Sequence, residues 1–472
     1  MSLGAWSAFE WLALAEYELL LFAGVFFLIG ALDEFAMDAT WLWLRARGKI
    51  KTHKVSREDL RYRALQGRTA VFIPAWQESP VIGHTLRHAL GAWRQTNLVF
   101  YIGCYRNDPA TLQAALDGAA GDPRVRLVVH DKDGPSTKAD CLNRLYRAME
   151  LDEARQRRPV ASVLLHDAED MVDPAALALI DRTLEQHDFV QLPVLPMPHP
   201  SSRWVASHYC EEFAEAHGKA MVVRDALRTG LPAAGVGCAF SRDMLDRMGR
   251  LEEDSQGPFS EGSLTEDYEL GLRVAEAGGR SRFMRVRGND GQLIATRGYF
   301  PASLSRAVKQ KARWMHGIAY QGWDRLGWNG GIAEMWMRMR DRRGPLSALV
   351  LFAGYLLLIL AACLSILGWA GYSRPWEPTP LLYGLLLANF VALSWRVVMR
   401  FAFTAREYGW AEGLRAVLRI PLANIIAIMA GRRALFAYAR TLRGEAPEWD
   451  KTSHSRHPSQ EQADEALQER AA

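Results

Sequence analysis

Four apolar stretches divide the chain into membrane-like ends and a charged middle. Residues 11–31 carry only Glu16 and Glu18 as charges, and residues 346–372 and 378–395 carry none. About 20 consecutive apolar residues suffice to cross a bilayer. We therefore predict a transmembrane helix over each of these three stretches. A buried core helix is the alternative, and it has most force for the first stretch because of its two glutamates.

The fourth apolar stretch, residues 420–430, is short and contains Pro421. At that length an interfacial or re-entrant helix is expected. Basic residues mark the cytoplasmic side of membrane helices. The sequence thus places residues 45–345 and the C-terminus inside, and the N-terminus and a turn at 373–377 outside. The basic residues are Arg45, Arg47, Lys49, Lys51, Lys54, Arg57, Arg61 and Arg63 after the first stretch, and Arg338, Arg340, Arg342 and Arg343 before the second.

The middle of the chain alternates short apolar runs with helical patterns. Runs at residues 69–74, 98–103, 125–129 and 163–165 predict strands. This alternation predicts an α/β domain with a parallel sheet and helices on both faces. Ligands of such sheets bind beyond the carboxyl ends of the strands. Four acidic residues follow the runs and are expected near that edge: Glu78, Asp108, Asp131 and Asp167.

Composition and charge limit the classes of partner that the protein is expected to bind. The formal net charge of +4 is too small to favour nucleic-acid binding, and no nucleic-acid partner is expected. The mean hydropathy of -0.11 hides the separation of apolar and charged segments. The five cysteines are scattered without a CxxC pair, which indicates free thiols in a reducing compartment.

An acidic cluster follows the run at 163–165. Asp167, Glu169 and Asp170 supply hard oxygen ligands of the kind that Mg²⁺ or Mn²⁺ takes together with substrate phosphates. An acidic helix N-terminus is the alternative. Upstream, Lys138 begins a predicted helix after a Gly-Pro turn and could reach a phosphate. The alternative for Lys138 is a solvated surface lysine.

Two further motifs carry candidate chemistry. In Thr265-Glu266-Asp267, Asp267 is a candidate general base, and helix capping by Thr265 is the alternative. Residues 310–314 lie on a predicted amphipathic helix at about 303–316. Its Arg313 can neutralise a diphosphate, and its Trp314 can stack on a sugar ring. A basic and aromatic membrane-surface anchor is the alternative for this motif.

Five motifs, in this order, resemble the family-2 glycosyltransferases of the GT-A fold, in the membrane-integrated branch that includes cellulose and hyaluronan synthases. The matching segments are residues 74–78, 138–143, 167–170, 265–267 and 310–314. Residues 105–109 and 449–454 further resemble the glycosyltransferase part of the phage adsorption protein B family, which is similar to exopolysaccharide synthases. One departure is that the usual Asp-x-Asp is replaced by Asp167-Ala168-Glu169, which leaves open which carboxylate binds metal.

The resemblance implies a role for each matching residue. The nucleotide and diphosphate would be bound by Ala75, Gln77, Glu78, Asp108, Lys138, Asp140, Asp167, Gln310 and Arg313. The metal would be held by Asp167, Glu169 and Asp170. Asp267 would be the catalytic base, and Glu266 and Trp314 would bind the acceptor.

The implied fold is an α/β GT-A (Rossmann-like) glycosyltransferase domain flanked by transmembrane α-helices. The expected parts are a transmembrane segment at 1–44, a cytoplasmic domain at 45–345 with interfacial helices near 300–340, a membrane hairpin with a short interfacial or re-entrant helix at 346–440, and a polar tail at 441–472.

The implied function is inverting transfer from a nucleotide-diphospho-sugar, expected to be a UDP-sugar, with Mg²⁺ or Mn²⁺. The acceptor would be a growing glycan or a lipid-linked sugar, and the product an exopolysaccharide at the bacterial inner membrane. Export, and an outer-membrane or periplasmic export partner, are left open. Two alternatives remain: a single-sugar transferase acting on a lipid carrier, and a non-catalytic membrane scaffold or phage-receptor component.

Overall fold

The computed structural model describes residues 7–252, 256–369, 371, 376–445 and 456–460. Residues 449–454, most of the predicted turn at 373–377 and most of the predicted polar tail lie outside these ranges. The strands are β1 Lys54–Val55, β2 Thr69–Pro74, β3 Leu98–Tyr105, β4 Val125–His130, β5 Ser162–Leu165, β6 Phe189–Gln191, β7 Val194–Pro196, β8 Cys238–Ser241, β9 Ser281–Phe283, β10 Arg287–Gly288 and β11 Thr296–Gly298.

Helices make up most of the remaining described chain. They are α1 Ala8–Ala46, α2 Arg57–Arg61, α3 Ile82–Ala92, α4 Pro109–Ala119, α5 Lys138–Gln156, α6 Ala176–Leu184, α7 His208–Glu215, α8 Met221–Leu227, α9 Arg242–Leu251, α10 Glu266–Glu276, α11 Leu304–Met315, α12 Gly322–Leu326, α13 Ile332–Arg342, α14 Gly344–Trp369, α15 Pro380–Tyr408, α16 Trp410–Leu418 and α17 Ile420–Thr441. Two π-helical turns, Ala216–Ala220 and His316–Gln321, follow α7 and α11.

A seven-stranded sheet in the order β4-β3-β2-β5-β8-β6-β9 forms the centre of the α/β domain. The four predicted strands are confirmed as β2 to β5, and they run parallel. The prediction of a purely parallel sheet is wrong, because β8 runs antiparallel to β5 and β6. Cys238, the first residue of β8, therefore pairs with Leu165, the last residue of β5. The loop before β8 is thus brought to the carboxyl edge of the parallel strands.

Helices cover both faces of the sheet, as the sequence predicts. Val71 and Ile73 of β2 pack on the face covered by α3, whereas Phe72 packs on the face covered by α5. Both faces of β2 are buried, which is why its sequence is a continuous apolar run instead of an alternating one. The chain order reverses at β2, since β3 and β4 lie on one side of it and β5 lies on the other. A crevice opens at such a reversal.

Four helices are long and apolar enough to cross a membrane: α1, α14, α15 and α17. The first three contain the predicted stretches at 11–31, 346–372 and 378–395, apart from the residues at the ends of the latter two. The charged end of α1 packs on the α/β domain, where Asp38 accepts a hydrogen bond from Lys219 at 2.5 Å. In α15, Arg396 contacts Glu215 of α7 at 2.6 Å. The apolar helices are therefore tied to the domain by buried or half-buried charges.

The last apolar helix is longer than the sequence predicts. α17 has 22 residues, whereas the predicted helix covers only 420–430. Pro421 lies in its first turn, where the missing N–H costs no helical hydrogen bond, so Pro421 begins the helix instead of interrupting it. Ala430 and Ala434 of α17 pack against Ala312 of α11. The predicted length is therefore wrong, and the interfacial or re-entrant placement stays a prediction.

Contacts beyond α17 bear on that placement. His457 is fully buried, and its Nε2 lies 3.2 Å from the backbone oxygen of Asp170 in the α/β domain. The chain is therefore on the side of the α/β domain both before and after α17. This favours a helix that lies against the domain over one that carries the chain across the membrane.

A buried arginine joins the start of α17 to the α/β domain. The Arg419 side chain is 0% exposed and contacts Glu211 of α7 at 2.8 Å and Glu412 of α16 at 2.7 Å. Arg415 also contacts Glu412, but its side chain is 44% exposed. The two arginines form a matched pair, one buried and one at the surface.

We predict that Arg419→Met lowers the free energy of unfolding by about 3 kcal/mol, because Glu412 loses its buried partner and Glu211 keeps only Arg400, at 2.9 Å. Arg415→Met should change it by at most about 1 kcal/mol, as for an exposed ion pair. Thermal unfolding of the detergent-solubilised protein measures both. Equal shifts in the melting temperature of the two variants would show that Arg419 does not join these elements.

Candidate active site

A cleft with a volume of about 180 Å³, open to solvent, lies at the carboxyl ends of β2 and β5. The start of α10 and one face of α11 form its other walls. It brings together most of the predicted site residues: Ala75, Glu78, Lys138, Asp167, Glu169, Asp170, Glu266, Asp267, Gln310, Arg313 and Trp314. Gln77, Asp108 and Asp140 do not line it.

The acidic cluster is a turn that directly follows β5. The next helix, α6, begins only at Ala176, so the alternative of an acidic helix N-terminus is wrong. Asp170 folds back within the turn: its Oδ2 accepts a hydrogen bond from the Asp167 backbone N–H at 3.0 Å and lies 2.7 Å from His166 Nδ1. Burial raises the pKa of Asp170. Asp170 thus shapes the turn, while Asp167 and Glu169 are partly exposed in the cleft.

Lys138, the first residue of α5, is the cation at the centre of this cleft. Its Nζ lies 2.6 Å from Asp167 Oδ1, and its side chain is 15% exposed, so the surface-lysine alternative is wrong. Burial opposes its positive charge, but the carboxylates of Asp167, Glu266 and Asp267 raise the pKa of Lys138 overall. The ammonium group is therefore charged at neutral pH.

Two carboxylates enter the cleft from the first turn of α10. Burial, and then the charge of Asp267, raise the pKa of Glu266 to about 7. Burial also raises the pKa of Asp267, although Lys138 and Arg313 oppose that rise. Thr265 stands at the N-cap position, but its side chain makes no capping hydrogen bond, so the capping alternative is wrong in that respect. Both carboxylates therefore keep their protons to a higher pH than they would in water.

A glycine loop before β8 holds Asp267 from the opposite side. Gly235 has φ of +75°, and a Cβ there would lie 2.2 Å from Asp267 Oδ2 and 3.3 Å from Lys138 Nζ. No side chain fits at that distance, so the backbone can approach the carboxylate only because residue 235 is glycine. The Asp267 Oδ1 atom accepts a hydrogen bond from the Tyr268 N–H at 2.7 Å. Both oxygens of the carboxylate are therefore closely packed.

The predicted amphipathic helix is confirmed as α11, which has Ser303 as its N-cap. Its residues Gln310, Arg313 and Trp314 all line the cleft, so the membrane-anchor alternative is wrong for these side chains. Arg313 Nη1 donates to the Leu264 carbonyl oxygen at 3.3 Å, just before the catalytic turn of α10. Within the described residues, Arg313 Nε and Gln310 Oε1 are buried without a hydrogen-bond partner. Both atoms are available to a ligand.

An aromatic cluster supports Trp314 at the cleft wall. Its ring lies 6.0 Å from Tyr209, 6.3 Å from Phe213 and 6.4 Å from Phe300, centroid to centroid, in edge-on arrangements. Such edge-to-face contacts fix ring orientation. The orientation of the Trp314 ring is therefore fixed by its neighbours.

The three predicted residues outside the cleft have structural contacts. Asp108 caps α4, and its Oδ2 accepts a hydrogen bond from the Gln77 N–H at 2.5 Å. Gln77 itself is exposed with φ of 52°. Asp140 Oδ2 lies 3.1 Å from His130 Nε2. Their predicted contact with the nucleotide stays a prediction, and the structure places them behind the residues that line the cleft.

Several lining residues were not identified from the sequence. Trp76 packs edge-on against Tyr105 at 5.1 Å, and both rings border the cleft beside Ala75. Arg297 and the aromatic residues that follow it come from β11 and the segment after it. Trp76 could have been identified from the sequence, because it lies inside the matching segment at residues 74–78. Arg297 reaches the cleft only through the pairing of β11 with β7, which no local pattern reveals.

Asp167 and Glu169 are the carboxylates in the cleft that are suited to a divalent metal ion. In the part of the chain described, no three His, Cys, Asp or Glu side chains are grouped to hold a metal ion by themselves. Mg²⁺ and Mn²⁺ need no such group, since they often take one or two carboxylates together with substrate phosphates. Partly exposed carboxylate oxygens at a cleft wall fit that mode of binding.

Comparison with known proteins gives two kinds of match. Residues 67–317 match the family model described as "Glycosyltransferase like family 2". The chain is 32% identical over 457 residues to bacteriophage adsorption protein B of Escherichia coli K12, and equally to bacteriophage N4 adsorption protein B of Escherichia coli O157:H7. Each alignment covers 91% of this chain and 61% of the relative, so the chain spans less than two thirds of these curated relatives.

Among solved structures, the chain is similar to glucosyl-3-phosphoglycerate synthase from Mycobacterium tuberculosis. The complex with Mg²⁺ and UDP matches with 15% identity and a TM-score of 0.35, over 59% of this chain and 87% of that one. The complex with Mn²⁺ and UDP-glucose matches with 15% identity and a TM-score of 0.34, over 60% of this chain and 86% of that one.

The family match covers more than half of the chain and contains the sheet, the acidic turn and the catalytic part of α10 and α11. It confirms the predicted fold class and enzyme class, and it removes the non-catalytic scaffold alternative. The chain belongs to the family-2-like glycosyltransferases, with a GT-A domain joined to apolar membrane helices.

Proposed function

We propose that this protein is an inverting transferase that moves a sugar from a UDP-sugar to a hydroxyl group of a growing glycan or lipid-linked acceptor. The main support for this proposal is the position of Asp267. Its carboxylate lies in the cleft beside Lys138 and across from the turn that holds Asp167. This arrangement puts a base and a diphosphate-binding cation within one site.

Asp267 acts as the general base in this proposal. The acceptor O–H gives its proton to the carboxylate as the acceptor oxygen forms a bond to the anomeric carbon. The bond between that carbon and the diphosphate oxygen breaks, and UDP leaves with the electron pair. A raised pKa suits this role, because a base with a pKa closer to the working pH accepts a proton more readily than an ordinary aspartate.

Positive groups stabilise the leaving diphosphate. Arg313 has a buried Nε–H without a partner among the described residues, and a guanidinium binds phosphate oxygens in bidentate fashion. Lys138 supplies a second charge beside Asp167. A divalent metal held by Asp167 and Glu169 would supply further charge stabilisation for the diphosphate. Trp314 excludes water from the reacting carbon and stacks on the sugar.

The membrane helices support an acceptor that is long or lipid-linked. α11 carries the Trp314 wall and packs on α17 through Ala312, which places the cleft beside an apolar helix. We propose processive synthesis of an exopolysaccharide at the inner face of the bacterial cytoplasmic membrane. Addition of a single sugar to a lipid carrier is the competing outcome, and export through a partner in the outer membrane or periplasm is left open.

Turnover of a UDP-sugar panel tests the function. One donor should be consumed with acceptor, and Asp267→Asn should lower kcat at least about 100-fold through loss of the base. Asp117→Asn, an exposed carboxylate on α4, is the matched control and should keep full activity. Product sizing distinguishes a ladder of long chains from one added sugar. Full turnover by Asp267→Asn would rule out Asp267 as the base.

The pH profile tests the Glu266–Asp267 pair. A base works only when ionised, so activity is present above its pKa and lost as the pH falls through it. Because burial raises the pKa of Asp267, the acid limb should lie above the pH of about 4 at which an ordinary aspartate titrates. The limb should remain in Glu266→Gln, which removes only the group whose pKa is raised to about 7. Loss of the limb in Glu266→Gln would show that Glu266, and not Asp267, is the base.

Metal dependence tests Asp167 and Glu169. Chelation by EDTA should abolish turnover, and Mn²⁺ or Mg²⁺ should restore it. The Mn²⁺ concentration for half-maximal turnover should rise about tenfold or more in Glu169→Gln, since one anionic oxygen ligand is lost. Asp117→Asn should leave it unchanged. If both Asp167→Asn and Glu169→Gln kept the native Mn²⁺ requirement, the metal would bind elsewhere.

A further inference from the structure

A second cavity, here named the basic cavity, lies at the domain end of α1. It has a volume of about 600 Å³ and shares no lining residue with the active-site cleft. That volume is within the range of about 300–1000 Å³ that small-molecule sites occupy. Its walls come from the end of α1, the following loop to residue 53, α8, the segment around β9 and the end of α15.

Positive side chains dominate the lining of the basic cavity. They are Arg45, Lys49, Lys51, Arg282, Arg285 and Arg406. Asp225 is the one carboxylate among the lining residues that the structure describes, and Arg282 already pairs with it at 3.1 Å. The remaining lining cations therefore have no carboxylate partner within the lining itself.

A neighbouring carboxylate is shared among three arginines. Glu407 lies 2.6 Å from Arg285, 2.5 Å from Arg287 and 3.9 Å from Arg406. Burial, reinforced by the charges of Arg406 and Arg287, lowers the pKa of Arg285 to about 10 despite Glu407. The wall of the cavity thus carries excess positive charge that the protein does not neutralise.

Two buried hydrogen-bond donors on this wall lack an acceptor. Arg285 has a side chain only 7% exposed; it donates to Thr52 Oγ1 at 3.2 Å and to Glu407, yet its Nε has no partner among the described residues. The indole Nε1 of Trp41 is likewise buried without a partner there. Both atoms can only donate. Buried donors are nearly always paired in native structures, so these two call for an acceptor that the described residues do not supply.

We propose that the basic cavity is a binding site for a phosphate-bearing anion. A phosphate group offers only acceptor oxygens and negative charge, which are the two properties that the wall lacks. A role in marking membrane orientation accounts for basic residues at the end of α1, but it does not require buried donors without acceptors. The anion could come from a soluble phosphate compound or from an anionic lipid headgroup, because the cavity lies where a membrane helix meets the domain.

Calorimetric titration of the full chain in uncharged detergent with inorganic pyrophosphate tests the soluble source. The lipid source is tested in nanodiscs, by comparing phosphatidylglycerol with phosphatidylcholine. Trp41→Phe keeps the ring and removes only the indole donor, and it should weaken binding about tenfold, as for a lost hydrogen bond to a charged group. Trp43→Phe, an exposed ring two residues along α1, is the matched control and should bind as the native protein does.

A second pair of variants tests the charge. Lys49→Gln combined with Lys51→Gln should weaken binding about tenfold or more, whereas Arg147→Gln combined with Arg155→Gln, at exposed positions of α5, should not. Arg313→Gln separates this site from the active-site cleft, since it should leave binding at the basic cavity unchanged. Binding of neither pyrophosphate nor phosphatidylglycerol, or binding lost only in Arg313→Gln, would overturn the proposal.

Discussion

The cleft depends on one charge balance: a single ammonium group, Lys138, faces the carboxylates of Asp167, Glu266 and Asp267. The four side chains come from the turn after β5, from α5 and from α10, so the balance exists only when the sheet has formed and α10 is docked. Burial raises the pKa of both Glu266 and Asp267, and the charge of Lys138 opposes that rise. The lysine therefore helps to keep these two acids ionised. Folding and catalytic chemistry therefore share one electrostatic requirement.

The segment before Asp267 is held in place by contacts from a neighbouring helix. Arg313 donates a hydrogen bond to the Leu264 carbonyl oxygen, and the Gln321 side chain accepts one from the Leu264 N–H at 3.0 Å. α11 and the π-helical turn after it therefore fix the segment before Asp267. Gly317 allows this close approach, since a Cβ there would lie 2.5 Å from Thr265 Oγ1. The motif at 310–314 thus lines the cleft and also fixes the position of the turn that carries Asp267.

Much of this could be predicted from the sequence, because strands buried on both faces are continuous apolar runs and their ends are marked by acidic residues. Asp167 was found in that way, Asp267 and Trp314 were found from their motifs, and all three meet in the cleft. Gly235 and Arg297 could not be found, because each reaches the cleft through strand pairing that has no local signal. Asp108 and Asp170 have the right chemistry and position in sequence, yet their oxygens are engaged by backbone N–H groups. Sequence spacing does not show which way a carboxylate turns.

The two basic clusters look alike in sequence but differ in structure. Arg340 and Arg343 of the second cluster contact Asp33 and Glu34 of α1, so their charges are neutralised within the protein. Lys49 and Lys51 of the first cluster line a cavity whose one carboxylate is already paired with Arg282. A charge needed only to orient a helix can be left in water or paired internally. The charges around the basic cavity are neither left in water nor paired internally, and its wall also carries two buried donors that lack an acceptor among the described residues. An anionic ligand would supply both the counter-charge and the acceptor.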